Sequence, residues 1–142
     1  MSEQNVELHR SAIAAYNARD VEAMVALFDP SIEFHPGMAV GSSVYHGHEG
    51  ARRWHQDLAD TWGEEIRIEP EAYFDLGEQT LLFYALRGRG RQSGAEVEMR
   101  NGAHVLRWRD GLIVYWKGYF DRQDALNLAV GGGGGGAVVL RV

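Results

Sequence analysis

Apolar residues recur at the spacing of an α-helix through the first part of the chain. One such run covers residues 6–16 and ends in a polar stretch in which Asp20 is suited to cap the next helix. The second run has an apolar face that extends to Phe28, and Asp29-Pro30 is a helix-stopping pair. The pattern therefore predicts a helical hairpin with a short link.

A third helical pattern covers residues 48–62 and has a largely aromatic face. That face consists of Ala51, Trp54, Leu58 and Trp62. Between the hairpin and this helix, residues 32–35 form a short strand pattern that Pro36-Gly37 ends. We place the Gly- and Ser-rich loop that follows at the mouth of a pocket.

Beyond Gly63 the spacing of apolar residues changes to the period of two that is typical of strands. Four strands are predicted, at residues 66–74, 80–87, 97–108 and 112–120. Turns rich in Gly and Asp separate them, so consecutive strands are expected to pair antiparallel as a meander. Helices followed by such a sheet indicate one α+β domain, residues 1–130, in which a bent sheet wraps on three N-terminal helices and leaves a cavity.

The last residues differ in composition from the rest. Gly131 begins a run of six glycines, a flexible linker by composition, and a short β-prone segment ends the chain. Residues 131–142 are therefore predicted to be a mobile tail, or to add an edge strand to a neighbour.

Composition limits the classes of function. The chain of 142 residues carries a net charge of −6 with scattered basic residues, which disfavours nucleic acid as a partner. It has no cysteine, so thiol catalysis and disulfides are excluded. The N-terminus lacks the pattern of a signal peptide and no apolar stretch is long enough to span a bilayer, so we expect a cytoplasmic protein that does not bind membranes.

Motifs for cofactors and metals do not match. The glycines from Gly88 to Gly94 have the wrong spacing for a dinucleotide loop and read as a hairpin turn. The segment that starts with His48-Glu49 begins like a zinc-protease helix, but Arg52 stands where the second histidine is required. We therefore expect no cofactor and no metal.

Asp121 follows the aromatic last strand and is a candidate general base. Strand alternation places it on one face with Tyr115, Lys117 and Tyr119. If that face lined an apolar pocket, burial would raise the pKa of the carboxyl and suit it to proton abstraction. The alternative is that Asp121 caps a helix that starts near Arg122.

Two histidines are further candidates. His35 lies at the end of the short strand, where a neutral imidazole could orient a carbonyl or pass a proton, or could simply be hydrogen-bonded at the strand end. His104 lies in the middle of a central strand and should be buried. A buried histidine needs a hydrogen-bond partner, so His104 is either a satisfied core residue or a pocket residue.

Several segments together resemble the SnoaL-like, or NTF2-like, proteins. They are residues 16–24, the strand that ends at Pro36, residues 45–50, and residues 109–113 ahead of 116–121. The resemblance covers about residues 5–128. It implies a cone-shaped, cystatin-like α+β barrel, commonly a homodimer, whose pocket serves polyketide cyclases, ketosteroid isomerases, limonene-epoxide hydrolases and non-catalytic members.

The resemblance also implies site residues. Polyketide cyclases of this family use a late aspartate and a nearby histidine, and Asp121 with His104 match these positions. The last strand is similar to that of the epoxide hydrolases, but their Arg-x-Asp pair is missing from residues 81–85, so the alternative that this likeness implies is a limonene-epoxide-hydrolase-like enzyme with an altered site. His35 and His104 fall about where ketosteroid isomerases have aspartates, so that site is not carried over.

Three hypotheses about function follow. The first is a cofactor-independent isomerase or cyclase that acts on a hydrophobic carbonyl or cyclic compound, with Asp121 as base and His104 or His35 stabilising the enolate oxygen. The second is a non-catalytic pocket for an apolar ligand. The ligand-binding residues would be Trp54, Trp62, Tyr119, Phe83 and Tyr16. The third is a scaffold that dimerises through the exposed face of its sheet.

Overall fold

The computed structural model describes residues 2–35, 44–62, 65–89, 94–133 and 138–141. The helices are α1 (Ser2–Asn17), α2 (Val21–Val25), α3 (Gly47–Trp62) and α4 (Arg122–Gly133). The strands are β1 (Phe28–His35), β2 (Tyr45–His46), β3 (Arg67–Asp75), β4 (Gln79–Arg89), β5 (Glu96–Arg109), β6 (Leu112–Tyr119) and β7 (Val138–Arg141). Helices α1–α3 and the meander β3–β6 confirm the α+β class that the sequence predicts.

The helical hairpin is closed by side chains that bond to the backbone. Asp20 accepts a hydrogen bond from the Ala23 amide at 3.1 Å and caps α2, as predicted. Asn17 pairs with both backbone groups of Ile68, at 2.8 and 2.9 Å, and so fixes the end of α1 to β3. Helix α2 ends at Val25, earlier than predicted, because Phe28 already belongs to β1.

The sheet has the strand order β2-β1-β6-β5-β4-β3-β7 and is not closed. The meander β3–β6 is antiparallel throughout, as the turn signals predict. At the β5–β6 hairpin, Asp110 and Gly111 both have positive φ, at 53° and 78°, which matches a two-residue turn of the primed type.

The parallel pairing of β1 with β6 was not predicted. Strand β1 lies beside β6 in the parallel direction, with Phe34 opposite Trp116 and His35 opposite Lys117. The partner strand is about 80 residues away in sequence, and local periodicity carries no information about a partner at that distance. The sheet is therefore mixed rather than purely antiparallel.

The two faces of the sheet are covered by different helices. Helix α1 packs on β3 and β4, and α3 packs on β1, so they enclose the main core on the inner face. Helix α4 packs on the opposite, outer face of β4, β5 and β6. The smaller apolar cluster there has four buried members, Leu81, Ala103, Val105 and Ala125.

Part of the C-terminal segment forms an edge strand, which is one of the two alternatives that the sequence left open. Helix α4 includes Gly131 to Gly133, and β7 pairs antiparallel with β3 of its own chain, with Leu140 opposite Tyr73. The segment thus extends the same sheet. Residues 134–137 and 142 lie outside the described residues. Across the described residues, no helix combines the length and the apolar character that crossing a membrane requires.

Candidate functional site

The candidate site lies on the inner face of the sheet, around His104. His104 projects from β5 and is 2% exposed. Its Nε2 lies 2.8 Å from Nε2 of His9, which comes from α1 and is fully buried. Thus the predicted pocket histidine has a partner, and that partner is a second histidine 95 residues away.

The hydrogen bonds continue beyond His9 to two further side chains. His9 Nδ1 lies 2.8 Å from the Thr80 hydroxyl oxygen, and the Trp108 indole N–H donates to that same oxygen at 2.8 Å. Thr80 is fully buried. The four side chains therefore form a buried polar chain from Trp108 through Thr80 and His9 to His104.

Both imidazoles of this chain are held neutral. Burial lowers the pKa of His104 to about 3, because an imidazolium loses its hydration in the core. Burial also places the pKa of His9 well below its ordinary value, and repulsion from His104 and Arg10 adds to the effect. A neutral histidine has one donor and one acceptor nitrogen, so the pair can share a single hydrogen bond.

His104 lines a small cavity whose walls are mainly aromatic. Ring contacts run from His104 to Trp116 at 4.6 Å, from Trp116 to Phe34 at 5.0 Å, and from Phe34 to Trp54 at 4.6 Å. The ring of Tyr16 lies 5.5 Å from that of Trp54. The cavity measures about 40 Å³, and its other lining residues are Leu58, Ile68, Tyr84, Leu86, Met99 and Gly118.

Two buried donors in this wall lack a hydrogen-bond partner among the described residues. They are the Tyr16 hydroxyl and the Trp54 indole N–H, on side chains that are 1% and 7% exposed. Burial raises the pKa of Tyr16 to about 12, although Arg19 beside it acts in the opposite direction, so the phenol keeps its proton. Buried polar groups nearly always have a partner, so two such donors at one cavity make it a candidate binding site.

Of the side chains predicted to form the site, the structure brings together His104, Tyr16 and Trp54 at the cavity. Trp62 is the last residue of α3, and its side chain lies outside the described part of the structure. The loop predicted at the pocket mouth, residues 36–43, also lies outside it.

His35 lies on the outer face of the sheet. Its neighbour Phe34 faces the core, and alternation directs His35 to the other side, next to Lys117. There His35 Nε2 is 3.4 Å from a Glu33 carboxylate oxygen, and the ring packs on Tyr115 at 5.2 Å. The sheet therefore separates His35 from the cavity.

Asp121 is an exposed helix cap. Its carboxylate accepts a hydrogen bond from the Gln123 amide at 2.8 Å at the start of α4. This is the alternative role that the sequence left open. The structure does not bring Asp121 to the cavity or to His104.

Phe83 and Tyr119 also belong to the outer face, where they pack on the small cluster under α4. The Arg122 guanidinium covers the Phe83 ring at 4.8 Å and donates to the backbone oxygens of Gly102 and Tyr84. Lys117 lies over the Tyr119 ring at 5.5 Å. These two aromatic side chains pack beneath α4 and do not line the cavity.

Sequence reasoning missed His9 and Thr80, although each left a signal. His9 lies three residues after Val6 and seven before Tyr16, on the apolar face of α1, where a polar side chain is out of place. Thr80 is the polar residue on the buried face of β4, in alternation with Leu82 and Tyr84. A polar residue at a core position indicates a buried hydrogen bond, but not its partner.

A larger groove of about 780 Å³ lies at the turns of the hairpins, lined by charged and polar residues such as Glu78, Arg107 and Asp110. No buried donor without a partner faces it from the described residues. In the same ranges, no three His, Asp or Glu side chains are close enough to hold a metal ion.

Solved structures with the same fold cover nearly the whole chain. An NTF2-like protein of unknown function from Burkholderia pseudomallei K96243 is 22% identical, with a TM-score of 0.75 over 91% of this chain and 98% of its own. TerC, co-crystallised with polyporic acid, is 19% identical, with a TM-score of 0.74 over 89% and 98%. A proposed polyketide cyclase from Xanthomonas campestris pv. campestris is 16% identical, with a TM-score of 0.72 over 90% and 98%.

At these identities the solved structures show the fold alone. A search of curated proteins finds no match. The family model for the SnoaL-like domain matches residues 9–116, which begins at His9 and includes His104 and Trp116. The chain belongs to the SnoaL-like domain family.

Proposed function

We propose that this protein binds a small, largely apolar molecule that carries an oxygen, in the cavity beside His104. The observation that carries the proposal is a pair of buried donors, the Tyr16 hydroxyl and the Trp54 indole N–H, which have no partner among the described residues and whose side chains line one cavity. A ligand oxygen can accept from them while the aromatic walls contact its apolar part. Leaving such donors unpaired in the core would cost about 1–3 kcal/mol each.

The cavity must widen to admit a ring-sized ligand. Its volume of about 40 Å³ is close to the roughly 30 Å³ that one water occupies in the liquid, whereas ligand pockets usually measure about 300–1,000 Å³. Met99 is the lining side chain best suited to move, since methionine is unbranched and adapts to irregular spaces. Its methyl group lies next to Gly102, which has no side chain to hold it in place.

A titration with 1-indanone, a small aromatic ketone, tests this proposal. We expect the indole N–H signal of Trp54 to shift in the NMR spectrum on addition of the ketone. Tyr16→Phe removes one donor and keeps the ring, so it should weaken binding about three- to tenfold. The matched control is Tyr119→Phe on the outer face, which should bind like the wild type.

Two results of this titration would overturn the proposal. The first is the absence of any shift at Trp54 up to the solubility limit of the ketone. The second is equal loss of binding in Tyr16→Phe and Tyr119→Phe. In either case the cavity is not the binding site.

A second candidate function is cofactor-independent isomerisation or cyclisation of a carbonyl compound. The neutral His104 favours it, because a neutral donor in a dry site can stabilise oxygen charge that develops during the reaction. The likeness in fold to a proposed polyketide cyclase agrees with such chemistry. Asp121 is not the base in this proposal, because its carboxylate caps α4 on the exposed side.

Two variants test the enzymatic proposal once an activity is found. Asp121→Asn should leave kcat within a few-fold of the wild type, whereas His104→Phe should lower it at least about a hundredfold. A large loss in Asp121→Asn would restore the aspartate as base and overturn the present assignment.

The expected homodimer stays a prediction. Phe120, at the end of β6, is the one large apolar side chain of the described residues that is markedly exposed, at 57%. Light scattering at micromolar concentration measures the mass directly. A monomer mass would contradict the dimer and, with it, the scaffold hypothesis.

A further inference from the structure

The hydrogen bonds around Thr80 have a direction that donor and acceptor counting determines. The Trp108 indole N–H can only donate, so the Thr80 oxygen is its acceptor. The hydroxyl has one hydrogen of its own, and Thr80 is fully buried. The acceptor for that hydrogen among the described residues is His9 Nδ1, at 2.8 Å.

The direction at Thr80 then determines the protonation of both histidines. If His9 Nδ1 accepts, a neutral His9 carries its proton on Nε2 and donates to His104 Nε2. A neutral His104 that accepts at Nε2 carries its proton on Nδ1. The opposite direction would leave the buried Thr80 hydroxyl hydrogen without an acceptor, which native structures avoid.

Charged forms of the histidines do not fit this geometry. With both imidazoles protonated, two N–H groups would face each other across the 2.8 Å between the Nε2 atoms. With His9 alone protonated, both of its nitrogens would donate, and the Thr80 hydrogen would again lack an acceptor. The neutral pair with this direction satisfies every group from the Trp108 indole to His104 Nε2 and leaves the Nδ1–H of His104 directed elsewhere.

His104 Nδ1 is the end of the buried polar chain and is the ring nitrogen available to the cavity. The ring of His104 lines the cavity, and His9 occupies its Nε2. Nδ1 makes no hydrogen bond within the described residues, and it is not one of their fully buried atoms without a partner, so it has access to the cavity. It joins the Tyr16 hydroxyl and the Trp54 N–H as a third donor at the same cavity.

We propose that Trp108, Thr80 and His9 are positioning residues that hold the His104 proton on Nδ1, and that the cavity therefore selects ligands with an acceptor oxygen, such as a ketone or an enolate. The selection of ligand rests on the proposed binding function. The direction of the hydrogen bonds is a property of the free protein.

The first experiment determines the tautomers of both histidines in the free protein. A long-range ¹⁵N–¹H NMR spectrum at neutral pH distinguishes the protonated from the bare ring nitrogen. We expect the proton of His104 on Nδ1 and that of His9 on Nε2. A His104 proton on Nε2 overturns the inference, whatever the ligand results are.

A pair of substitutions at Thr80 separates positioning from packing. Thr80→Val keeps the shape but removes the hydroxyl, so both histidines should change to mixtures of tautomers. Thr80→Ser restores the hydroxyl and should restore the wild-type spectrum. If a folded Thr80→Val protein keeps both wild-type tautomers, Thr80 is a packing residue and the inference is wrong.

A ligand pair tests the selection. We expect 1-indanone to bind at least about tenfold more tightly than indane, which has the same rings without the oxygen, and Thr80→Val to reduce this preference about three- to tenfold. Equal binding of the two compounds by the wild type overturns the selection. If neither compound binds while the tautomers are as expected, the proposed function is wrong but the direction of the hydrogen bonds is confirmed.

Discussion

The two faces of the sheet hold the same kinds of side chain in opposite circumstances. On the inner face, His104 is buried among aromatic rings and bonds to a second neutral histidine. On the outer face, His35 is half-buried and lies beside a carboxylate of its own strand. The same residue type is thus a buried neutral donor on one face and a partly exposed ring beside a carboxylate on the other.

The difference teaches that residue type does not define a site without its environment. Alternation along a strand places neighbours on opposite faces, so Phe34 and His35 belong to different surroundings although they are adjacent. Burial removes the water that would screen and hydrate an imidazolium, and His104 on the inner face is buried in this way. Four predictions would break or sharpen the comparison.

The largest effect is expected from truncating the aromatic residues of the two faces. Trp116→Ala should lower the free energy of unfolding by about 3–5 kcal/mol, because Trp116 packs on Phe34, Phe28 and His104 in the core. Tyr119→Ala on the outer face should cost about 1 kcal/mol. Urea denaturation of both variants gives the comparison, and equal losses would show that the faces do not differ in packing.

The next effect is a loss of stability on mild acidification. The pKa of His104 is about 3 in the folded chain and near 6.5 when unfolded, so only the unfolded chain binds this proton as the pH falls. The neutral His104 therefore makes its full contribution to the free energy of unfolding above pH 7. This contribution decreases by about 2 kcal/mol between pH 7 and pH 5. His9 acts in the same direction.

Urea denaturation at several pH values between 7 and 5 measures this loss. Carboxyl groups ordinarily titrate near pH 4, below this window. The loss should be smaller in His104→Gln than in the wild type. A wild-type stability that stays constant from pH 7 to pH 5 would contradict the neutral buried pair.

Replacing His104 should cost more stability than replacing His35. His104→Leu leaves His9 without its partner in the core and should cost about 1–3 kcal/mol at pH 7.5. His35→Leu should change stability by no more than about 0.5 kcal/mol. The order of the two costs, measured by thermal or urea unfolding, checks the assignment of each histidine to its face.

The smallest effect concerns Asp121. Asp121→Ala removes the cap of α4 and should cost about 1 kcal/mol, as should Asp20→Ala at α2. Neither change should move the ring signals of His104 in the NMR spectrum. A shift of these signals in Asp121→Ala alone would connect the carboxylate to the cavity.

The sequence predicts much of the fold because much of it is encoded locally. The four strands of the meander were predicted within three residues, since period-two alternation and Gly- or Asp-containing turns are visible in a short window. The ends of α2 and the parallel pair of β1 and β6 were not, because Phe28 becomes a strand residue only through its long-range partner Ile113.

The candidate site was predicted in part. His104 was predicted to be a buried histidine that needs a partner, and the structure gives it one. Tyr16 and Trp54, predicted as ligand-binding residues, line the same cavity, and their role in binding stays a prediction. Four other residues were assigned to the same site from the sequence pattern alone, namely Asp121, His35, Phe83 and Tyr119. In the structure they lie on the outer side of the sheet, away from the cavity. His9, on a helix predicted correctly, was not connected to His104.

The sequence by itself determined the element types, the antiparallel order of the meander and the need of His104 for a partner. Only the tertiary structure decided that the partner is His9, that Thr80 and Trp108 continue the chain, and which face of the sheet encloses the cavity. The reason is that periodicity divides each element into two faces without specifying what covers them. The contact between His9 of α1 and His104 of β5 joins residues 95 positions apart, and it requires the sheet to be packed against the helices.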